Sequence, residues 1–443
     1  MSDSASVSQP AHRASDRPHV FGLTPDALTD VVTDLGMPRR VAGQILKWVY
    51  ERGVVDPAAM TDLSKRDRAT VAERLMFDAG RVIAHQRATD GTQKLLVDWA
   101  APAGHDILLG TPNGHGEGDG NGNGNGNGNE HPGGAASAMA DASAGPVDLG
   151  AHGSNAAPDA DLALPMLGDA TGDAAPAGSG RETECVMIPT DRRSTACISS
   201  QIGCPVGCRF CASGLGGLDG NLTAGRIVEQ VHRLNRLPEV DRISNIVFMG
   251  MGEPLANFTA VTDAIRIINA PWGMGIGARR ITVSTVGMPA AIQKLVDFEV
   301  PVTLALSLHA PDDDIRRQLI PWAEYASIDQ LMQACDAYFQ ATGREITFEY
   351  LLLRGVNDRP THARELARLA RRIRANVNLI RWNEVAGLPY DRPSTEDVLR
   401  FQEILRENRV NTHIRASRGR DIAAACGQLR HEKTTERRAA SPA

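Results

Sequence analysis

Residues 194–217 read STACISSQIGCPVGCRFCASGLGG, a short strand-like run followed by three cysteines, Cys204, Cys208 and Cys211. Three thiolates at CxxxCxxC spacing can hold three irons of a [4Fe–4S] cluster and leave the fourth iron open to an exogenous ligand. A zinc site that recruits Cys197 is one alternative, although zinc usually binds paired CxxC knuckles and the chain has no second pair. Buried structural thiols are the other alternative.

After a first predicted strand near residues 194–199, helical and strand-like patterns alternate along the chain. Such a repeated βα series predicts a parallel sheet that closes, or nearly closes, as a barrel. Because the strands are too few for an eight-fold barrel, we predict a partial (β/α)6 barrel of the α/β class over residues 194–429. The predicted helices are 223–236, 258–269, 289–297, 328–341, 361–375 and 394–408, followed respectively by strands 245–249, 280–285, 302–309, 345–353, 376–382 and 411–417.

Residues suited to binding or catalysis recur where these predicted strands end. The three cysteines follow the first strand, and the sequence GMGEP at 250–254 follows the second. Ser284 and the run SLH at 307–309 end two further strands, and Asn383 directly follows the end of another. In βα barrels, functional groups collect at the carboxyl ends of the strands, so we expect these residues to meet at one rim. For any one of them alone, an ordinary polar cap of a strand end is the alternative.

Residues 21–80 have the apolar spacing of a small helical domain, preceded by a disordered N-terminus at 1–20. Thr24 and Pro25 predict the start of a helix that ends at Gly36. Further helices are predicted at 39–52 and 65–75. Residues 37–75 contain eight basic and five acidic side chains, so this accessory domain could bind RNA. A mixed-charge, solvated surface is the alternative.

A second unusual region, residues 101–180, contains ten acidic residues, no Lys or Arg, and 19 of the 43 glycines. We predict a disordered Gly/Asn/Asp-rich insertion, because this composition buries too little apolar surface to offset chain entropy. Strand-like segments at 93–99 and 182–189 flank it, so it interrupts a linking hairpin formed by 81–100 and 181–193. Without the insertion, 47 basic residues face 43 acidic ones, a mildly basic balance that permits an RNA partner.

Length and the remaining composition set further bounds. The 443 residues suffice for two or three domains, and no apolar run is long enough for a membrane-spanning helix. The first 20 residues lack the apolar centre of a signal peptide, which predicts a cytoplasmic protein without membrane association. Seven cysteines are too few for a disulfide framework, and four of them fall between Cys197 and Cys211. Residues 430–443 are predicted to form a flexible tail.

Four segments together resemble the RlmN/Cfr family of radical S-adenosylmethionine (SAM) RNA methyltransferases. The CxxxCxxC motif alone would indicate only the radical SAM superfamily, whereas a downstream cysteine in AACGQL narrows the resemblance to this family. It extends from the N-terminal helices to about Leu429 and omits residues 101–180. The segments are CISSQIGCPVGCRFCASGLGG (197–217), MGMGEPLAN (249–257), SLHAP (307–311) and RGRDIAAACGQL (418–429).

The resemblance implies a division of labour among these residues. One [4Fe–4S] cluster per chain would be held by Cys204, Cys208 and Cys211, and its open iron would chelate the amino and carboxylate groups of SAM. Adenine C2 is not nucleophilic, so ordinary displacement cannot methylate it. A cluster and SAM can supply the radical chemistry that this carbon requires and that side chains cannot provide. The residues carried over to the SAM pocket are Gly252, Glu253, Ser284, Ser307, Leu308, His309 and Asn383.

The resemblance also implies a two-cysteine mechanism that uses two SAM molecules per turnover. Cys426 would accept a methyl group from the first SAM. A 5′-deoxyadenosyl radical from the second would remove a hydrogen from that S-methyl group, and the carbon radical would add to adenine. Cys197 would then attack the sulfur and release the product as a disulfide, with Glu184 as the proton acceptor. From the residues alone, an exposed strand carboxylate is the alternative for Glu184.

By resemblance, the substrates are an adenine in the peptidyl-transferase loop of 23S rRNA and the adenine next to a tRNA anticodon. An electron donor such as flavodoxin or ferredoxin and a monomeric state are further expectations. Methylation at adenine C8, as in the resistance enzymes of the family, is one alternative function. A zinc-stabilised RNA-binding protein without catalysis is the other.

Overall fold

The computed structural model describes residues 17–99, 181–385 and 387–422. Within these residues, ten strands form one sheet and two strands form a second sheet. The strands are β1 (Arg81–Arg87), β2 (Gln93–Asp98), β3 (Glu182–Thr190), β4 (Arg193–Cys197), β5 (Gln201–Gly203), β6 (Leu218–Asn221), β7 (Ile243–Phe248), β8 (Ile281–Thr285), β9 (Thr303–Ser307), β10 (Thr347–Leu352), β11 (Asn376–Arg381) and β12 (Thr412–Ile414).

Three α-helices precede the large sheet in the chain, and the later helices connect its strands. The α-helices are α1 (Pro25–Asp34), α2 (Arg40–Leu46), α3 (Lys65–Arg74), α4 (Ala212–Leu215), α5 (Ala224–Asn235), α6 (Phe258–Asn269), α7 (Pro289–Val296), α8 (Asp313–Leu319), α9 (Ile328–Thr342), α10 (Pro360–Arg372) and α11 (Thr395–Glu407). The residues at the N-terminus of a helix determine where it begins. Thr223 accepts a hydrogen bond at the N-cap of α5, Pro289 opens α7, and Ser327 with Gln330 forms a capping box on α9.

The large sheet has the order β1-β2-β3-β4-β7-β8-β9-β10-β11-β12. From β4 to β12 every neighbouring pair is parallel, and six βα connections link these seven strands. The predicted partial (β/α)6 barrel of the α/β class is therefore confirmed. In the part of the chain that the structure describes, β1 and β12 are the two edges, so the barrel stays open.

The strands β1 to β4 continue the same sheet in antiparallel fashion. A short turn at 88–92 joins β1 to β2, and β2 pairs with β3 across the position of residues 101–180, which lie outside the described residues. The opposed residues Asp98 and Glu182 mark the last pair before that gap. The hairpin predicted to link two domains is thus an extension of the barrel sheet itself.

Alternation of side chains along the strands separates an outer core from the barrel interior. In β7, Ile246 and Phe248 are buried in the main hydrophobic core, whereas Val247 between them is only half-buried. Helices α5, α6, α7, α9, α10 and α11 cover the core side, whereas Leu319 of α8 belongs to a separate, smaller cluster. Among the described residues, no helix has the length and apolar character needed to cross a bilayer.

The N-terminal region packs on α5 through the short 3-10 helix Val20–Gly22, while α1 packs against α2. Helices α1 and α3 match the predictions closely, whereas the predicted second helix continues beyond α2 as one π-helical segment, Lys47–Glu51. Ordered structure begins before the predicted boundary at residue 21, because His19 forms a β-bridge with Met76. His19 also lies 3.3 Å from the buried Glu229 carboxylate of α5. Residues 1–16 and 423–443 lie outside the described residues.

Candidate active site

The cysteine motif lies in a loop between β5 and α4 that covers the carboxyl ends of the parallel strands. The two short strands β5 and β6 pair around this loop, an element that the sequence analysis missed. Beneath the loop, Val206 belongs to a small hydrophobic cluster with Leu351 and Trp382, against which Cys204 and Cys208 pack. This cluster places the loop over the ends of β10 and β11.

A hydrogen bond fixes one end of the same loop. The indole nitrogen Nε1 of Trp382 donates to the carbonyl oxygen of Phe210 at 3.1 Å. The Phe210 ring also meets His309 edge-on, with ring centroids 5.1 Å apart. Because Phe210 directly precedes Cys211, these contacts hold the last cysteine of the motif against the strand-end residues. The rim predicted from the sequence therefore exists around the motif.

The three cysteines of the motif influence one another electrostatically. Burial raises the pKa of Cys204 to about 12, while N–H groups of Val206 and Gly252 that donate to its sulfur act in the opposite direction. Burial, then the neighbouring Cys211 and Cys204, raises the pKa of Cys208. Three thiolates here would repel each other unless a cationic group neutralised them. Clustered thiols with N–H donors to sulfur fit an iron–sulfur cluster.

Within residues 17–99, 181–385 and 387–422, no three His, Cys, Asp or Glu side chains converge on a single metal ion. A cubane makes a different demand, because each cysteine binds a separate iron. Backbone shape around the motif also matters. A Cβ atom at Gly214 would lie 2.9 Å from the Cys208 backbone nitrogen, so glycine is needed for this close approach.

The GMGEP loop after β7 packs tightly against the strand that leads to the motif. A Cβ atom at Gly250 or Gly252 would come within 2.7 Å of the backbone or side chains of residues 198–201. Gly252 also has a φ of 101°, which favours glycine. The Glu253 N–H donates to the side-chain oxygen of Gln201 at 2.8 Å. These contacts bring Gly252 and Glu253 beside Cys204.

The Glu253 carboxylate is buried and shared between two strand ends. It accepts hydrogen bonds from the N–H groups of Leu255 at 3.0 Å and Val286 at 2.8 Å. Burial raises the pKa of Glu253 to about 6, although these bonds favour the ionised form. Each carboxylate oxygen can accept more than one hydrogen bond, so Glu253 can still bind a donor such as an amino group.

Two serines predicted for the SAM pocket meet directly. Ser284 in β8 and Ser307 at the end of β9 lie with their hydroxyl oxygens 3.1 Å apart. Ser307 pairs in register with Glu349 of β10, and both face the barrel interior. The two hydroxyl groups thus form a polar patch on the inner wall of the barrel, next to the cysteine loop.

The predicted strand 302–309 included Leu308 and His309. In the structure β9 ends at Ser307, so both residues follow the strand. His309 has a φ of 56°, an uncommon conformation for a residue other than glycine, and so turns the chain sharply. Its Nδ1 accepts a hydrogen bond from the Leu351 N–H at 3.0 Å. Burial, followed by the charge of Arg316, lowers the pKa of His309 to about 3. The ring is therefore neutral and carries its proton on Nε2. Leu308 is fully buried in the main hydrophobic core.

Asn383 lies two residues beyond β11, half-buried beside Trp382. Its side-chain oxygen accepts a hydrogen bond from Arg392 at 3.1 Å. Since Trp382 holds the cysteine loop, Asn383 lies near the same rim as the serines.

The sequence analysis missed Arg316, which lies on α8 and is completely buried. Its guanidinium donates to the carbonyl oxygens of Val286 and Leu308, the latter at 3.3 Å, and so ties the ends of β8 and β9 together. Burial lowers the pKa of Arg316 to about 10, opposed by the charge of Cys208. The only available signal was the position of this arginine shortly after the SLHAP segment.

A second group of predicted residues lies in the antiparallel strands. Glu184 in β3 is buried, so the alternative of an exposed strand carboxylate is wrong. Cys197 ends β4 and pairs with Val186, two residues beyond Glu184. Opposed residues of an antiparallel pair share a face, as do residues two apart in one strand. Glu184 and Cys197 therefore lie on one face of the sheet.

The two remaining cysteines in the described residues have no part in this face. Cys185 points the opposite way into the main core, and Cys335 is buried on α9. Burial raises the pKa of both thiols. Both thiols are therefore small packing residues of the core. Cys426 lies outside the described residues.

Fold and site together define a radical SAM enzyme, and comparison with known proteins agrees. The model of the Radical SAM superfamily matches residues 198–370, and that of the ribosomal RNA large subunit methyltransferase N-terminal domain matches residues 19–76. A crystal structure of a radical SAM methyltransferase from Sphaerobacter thermophilus is 36% identical, covers 93% of this chain and 98% of that one, and has a TM-score of 0.73.

Curated relatives carry the name probable dual-specificity RNA methyltransferase RlmN. The Microcystis aeruginosa protein is 47% identical over 407 residues, which are 91% of this chain and 96% of the relative. The Rhodopirellula baltica protein is 50% identical over 255 residues, or 57% of this chain and 69% of the relative. The chain belongs to the RlmN family.

Family membership confirms several expectations. The protein is a radical SAM methyltransferase that uses a [4Fe–4S] cluster and SAM, and its substrate is RNA. Catalysis is favoured over a zinc-stabilised protein that only binds RNA.

Proposed function

We propose that this protein methylates C2 of an adenine in the peptidyl-transferase loop of 23S rRNA and of the adenine next to a tRNA anticodon. The relatives named above support two RNA substrates, since they carry the name dual-specificity RNA methyltransferase. The observation that supports the mechanism most is the shared face of Glu184 and Cys197. On this proposal, Glu184 as base and Cys197 as thiol would act from the antiparallel strands that continue the SAM-site sheet.

The cysteine loop and the strand ends would hold the two cofactors. Cys204, Cys208 and Cys211 would bind three irons of the cluster, and Gly252 with Glu253 would receive the amino group of SAM. Ser284, Ser307, His309 and Asn383 would line the rest of the SAM pocket, to which Leu308 would contribute its main chain, since its side chain is buried in the main core. When bound, the cluster and SAM would supply radical chemistry that no side chain offers. The fixed, neutral His309 ring would keep the cysteine loop in place through its contact with Phe210.

The cysteines outside the cluster motif would carry the methyl group and release the product. Cys426, as a thiolate, would accept a methyl group, and its carbon would later become bonded to adenine. Cys197 would attack the Cys426 sulfur, forming a disulfide as the carbon–sulfur bond breaks. The methylene carbon would take the electron pair of that bond and a proton to become the methyl group, and the unpaired electron left by the radical addition would pass to the oxidised cluster. Glu184 would accept the proton that leaves the adenine ring. Both Cys197 and Glu184 are buried, which would keep water from intercepting reactive species.

The N-terminal helices are the proposed contact to RNA beyond the active site. Exposed basic side chains lie on or beside α2, the π-helical segment and α3, which suits the phosphate backbone, whereas α1 has none. The substrate adenine would leave its stack to reach the rim. The exposed basic residues are Arg39, Arg40, Lys47, Arg52, Lys65, Arg66 and Arg74.

We further propose that the protein acts in the cytoplasm as a monomer and receives electrons from a flavodoxin- or ferredoxin-like donor.

Mass spectrometry of nucleosides tests this proposal. Protein reconstituted without oxygen is incubated with SAM, a reductant and either 23S rRNA fragments or tRNA, both free of the modification. We expect 2-methyladenosine in both RNAs. Formation of 8-methyladenosine would overturn the assigned position, and methylation of one RNA alone would overturn the dual specificity. Heat-treated protein provides the blank.

A further inference from the structure

Lys94 in β2 forms a buried ion pair with Glu184. Its Nζ lies 3.5 Å from Oε1 of Glu184, and the two side chains are 0% and 4% exposed. Removing two charges from water costs several kcal/mol per ion, and apolar residues of similar volume often serve stability as well or better. A charge pair that is retained at this depth therefore calls for a reason other than stability.

Strand register places this pair on the reactive side of the sheet. Lys94 is opposite Val186, and Val186 is opposite Cys197, so Lys94 and Cys197 lie in one row across β2, β3 and β4. The residues next to Lys94 and Glu184 along their strands, Leu95 and Cys185, point to the opposite face, into the main core towards α5. Lys94 thus shares its face with the proposed base and the proposed resolving thiol.

We propose that Lys94 is a positioning residue that keeps Glu184 ionised and aimed at the adenine, so that Glu184 can accept the ring proton. This inference rests on the proposed function. In the step concerned, the C–H bond at adenine C2 breaks, the proton goes to a carboxylate oxygen of Glu184, and the electron pair stays with the ring. An opposite charge within about 4–6 Å favours the ionised carboxyl group.

Other charged and titratable groups surround Glu184, and Lys94 is the buried cation on its face, where Arg81 is partly exposed and Arg193 is exposed to solvent. Glu182 and Asp98 share that face and are acidic, and Asp98 is paired at 3.8 Å with Arg81. The strand β5, which also packs on β3, contributes no charged residue. Cys197 is a further titratable group on the same face, whereas Cys185 lies on the opposite face near Glu229 and Arg233 of α5, the helix that also carries Arg226 and His232.

The test follows the decay of the covalent RNA–protein adduct in single turnovers between pH 6 and pH 9. Loss of the Lys94 cation should leave Glu184 protonated to higher pH. For Lys94→Met and Lys94→Gln, we expect adduct decay at pH 7 to slow at least tenfold and to recover as the pH rises. Lys94→Arg keeps the charge and should stay within a few-fold of the wild type.

Controls separate this inference from the proposed function. Arg81→Gln removes a partly exposed cation of the same hairpin and should leave the pH profile unchanged. Glu184→Gln should accumulate adduct at every pH, and its failure to do so would show that Glu184 is not the base. If Glu184→Gln accumulates adduct but both neutral Lys94 variants follow the wild-type profile, the role of Lys94 is overturned.

Iron content and far-UV circular dichroism verify that each variant folds. If the single Lys94 change unfolds the protein, the Lys94→Met/Glu184→Gln double variant removes both charges. If the double variant folds where both neutral single variants unfold, the pair is electrostatically coupled as proposed; if it also unfolds, Lys94 is structural and the inference fails.

Discussion

The parallel and antiparallel halves of the large sheet hold their functional residues in different ways. In the parallel half, Ser284, Ser307 and His309 lie at or beyond strand ends and are neutral, joined by hydrogen bonds to each other or to backbone. In the antiparallel half, Lys94 and Glu184 lie within strands and form a buried ion pair. The first half suits a site that binds cofactors, and the second suits a site that moves a proton.

This difference follows from strand geometry. All parallel strands end at the same edge, so their terminal residues meet without special side chains in the middle of the sheet. An antiparallel extension has no common carboxyl end, and its contribution must come from side chains that face inward along the strands. Chemistry shared with other radical SAM enzymes is thus expected at the parallel rim, and chemistry particular to the RlmN family at the extension.

The largest expected effect comes from the parallel rim. Replacing Cys204, Cys208 or Cys211 by Ala should abolish cluster binding and lower SAM cleavage more than a thousandfold, because one of three irons loses its ligand. Iron and sulfide analysis and 5′-deoxyadenosine formation measure this. Cys335→Ala removes a buried thiol of α9 and should retain the cluster. Stoichiometric zinc without iron in the wild type would contradict the account.

An intermediate effect is expected from a buried histidine beneath the antiparallel half. Burial, then Arg236 and Arg233, lowers the pKa of His232 on α5 from 6.5 to about 3. The unfolded chain therefore binds a proton that the folded protein does not, so this contribution to stability is present above pH 6.5 and is lost as the pH falls towards 3. At pH 5 the loss amounts to about 2 kcal/mol.

Urea unfolding at pH 7.5 and pH 5 measures this loss. His232→Gln should lose about 2 kcal/mol less than the wild type between the two pH values. The exposed His413 provides a matched control, and His413→Gln should behave as the wild type does. Equal acid sensitivity of His232→Gln and the wild type would show that His232 can be protonated in the folded protein.

The smallest effect is expected from deletion of residues 101–180 with a short turn between β2 and β3. The Trp99 N–H donates to the Arg181 carbonyl at 2.8 Å, so the two ends already face each other. Long loops add little closure entropy, and we expect stability within about 1 kcal/mol and methylation within about twofold of the full chain. A large loss of activity in a well-folded deletion variant would show that the insertion takes part in function.

The sequence was sufficient to predict the parallel half, because its strands and helices have distinct periods and its polar residues follow strand ends. It could not reveal Arg316 or Lys94, since neither has a local pattern that separates it from a surface cation. Only the strand register shows that Lys94 shares a face with Glu184 and Cys197. The turn at His309 was also missed, because its positive φ depends on the hydrogen bond from Leu351.

The central claim, methyl transfer through two cysteines, is tested most directly by comparing Cys197→Ala with Cys426→Ala. Each variant is incubated with RNA, SAM and a reductant and run on a denaturing gel, with Cys185→Ala as the control from the core side of β3. We expect Cys197→Ala to accumulate RNA bound covalently to the protein, and Cys426→Ala to bind cluster without modifying RNA. Normal turnover of Cys197→Ala, or similar partial losses without adduct in both variants, would contradict the two-cysteine mechanism.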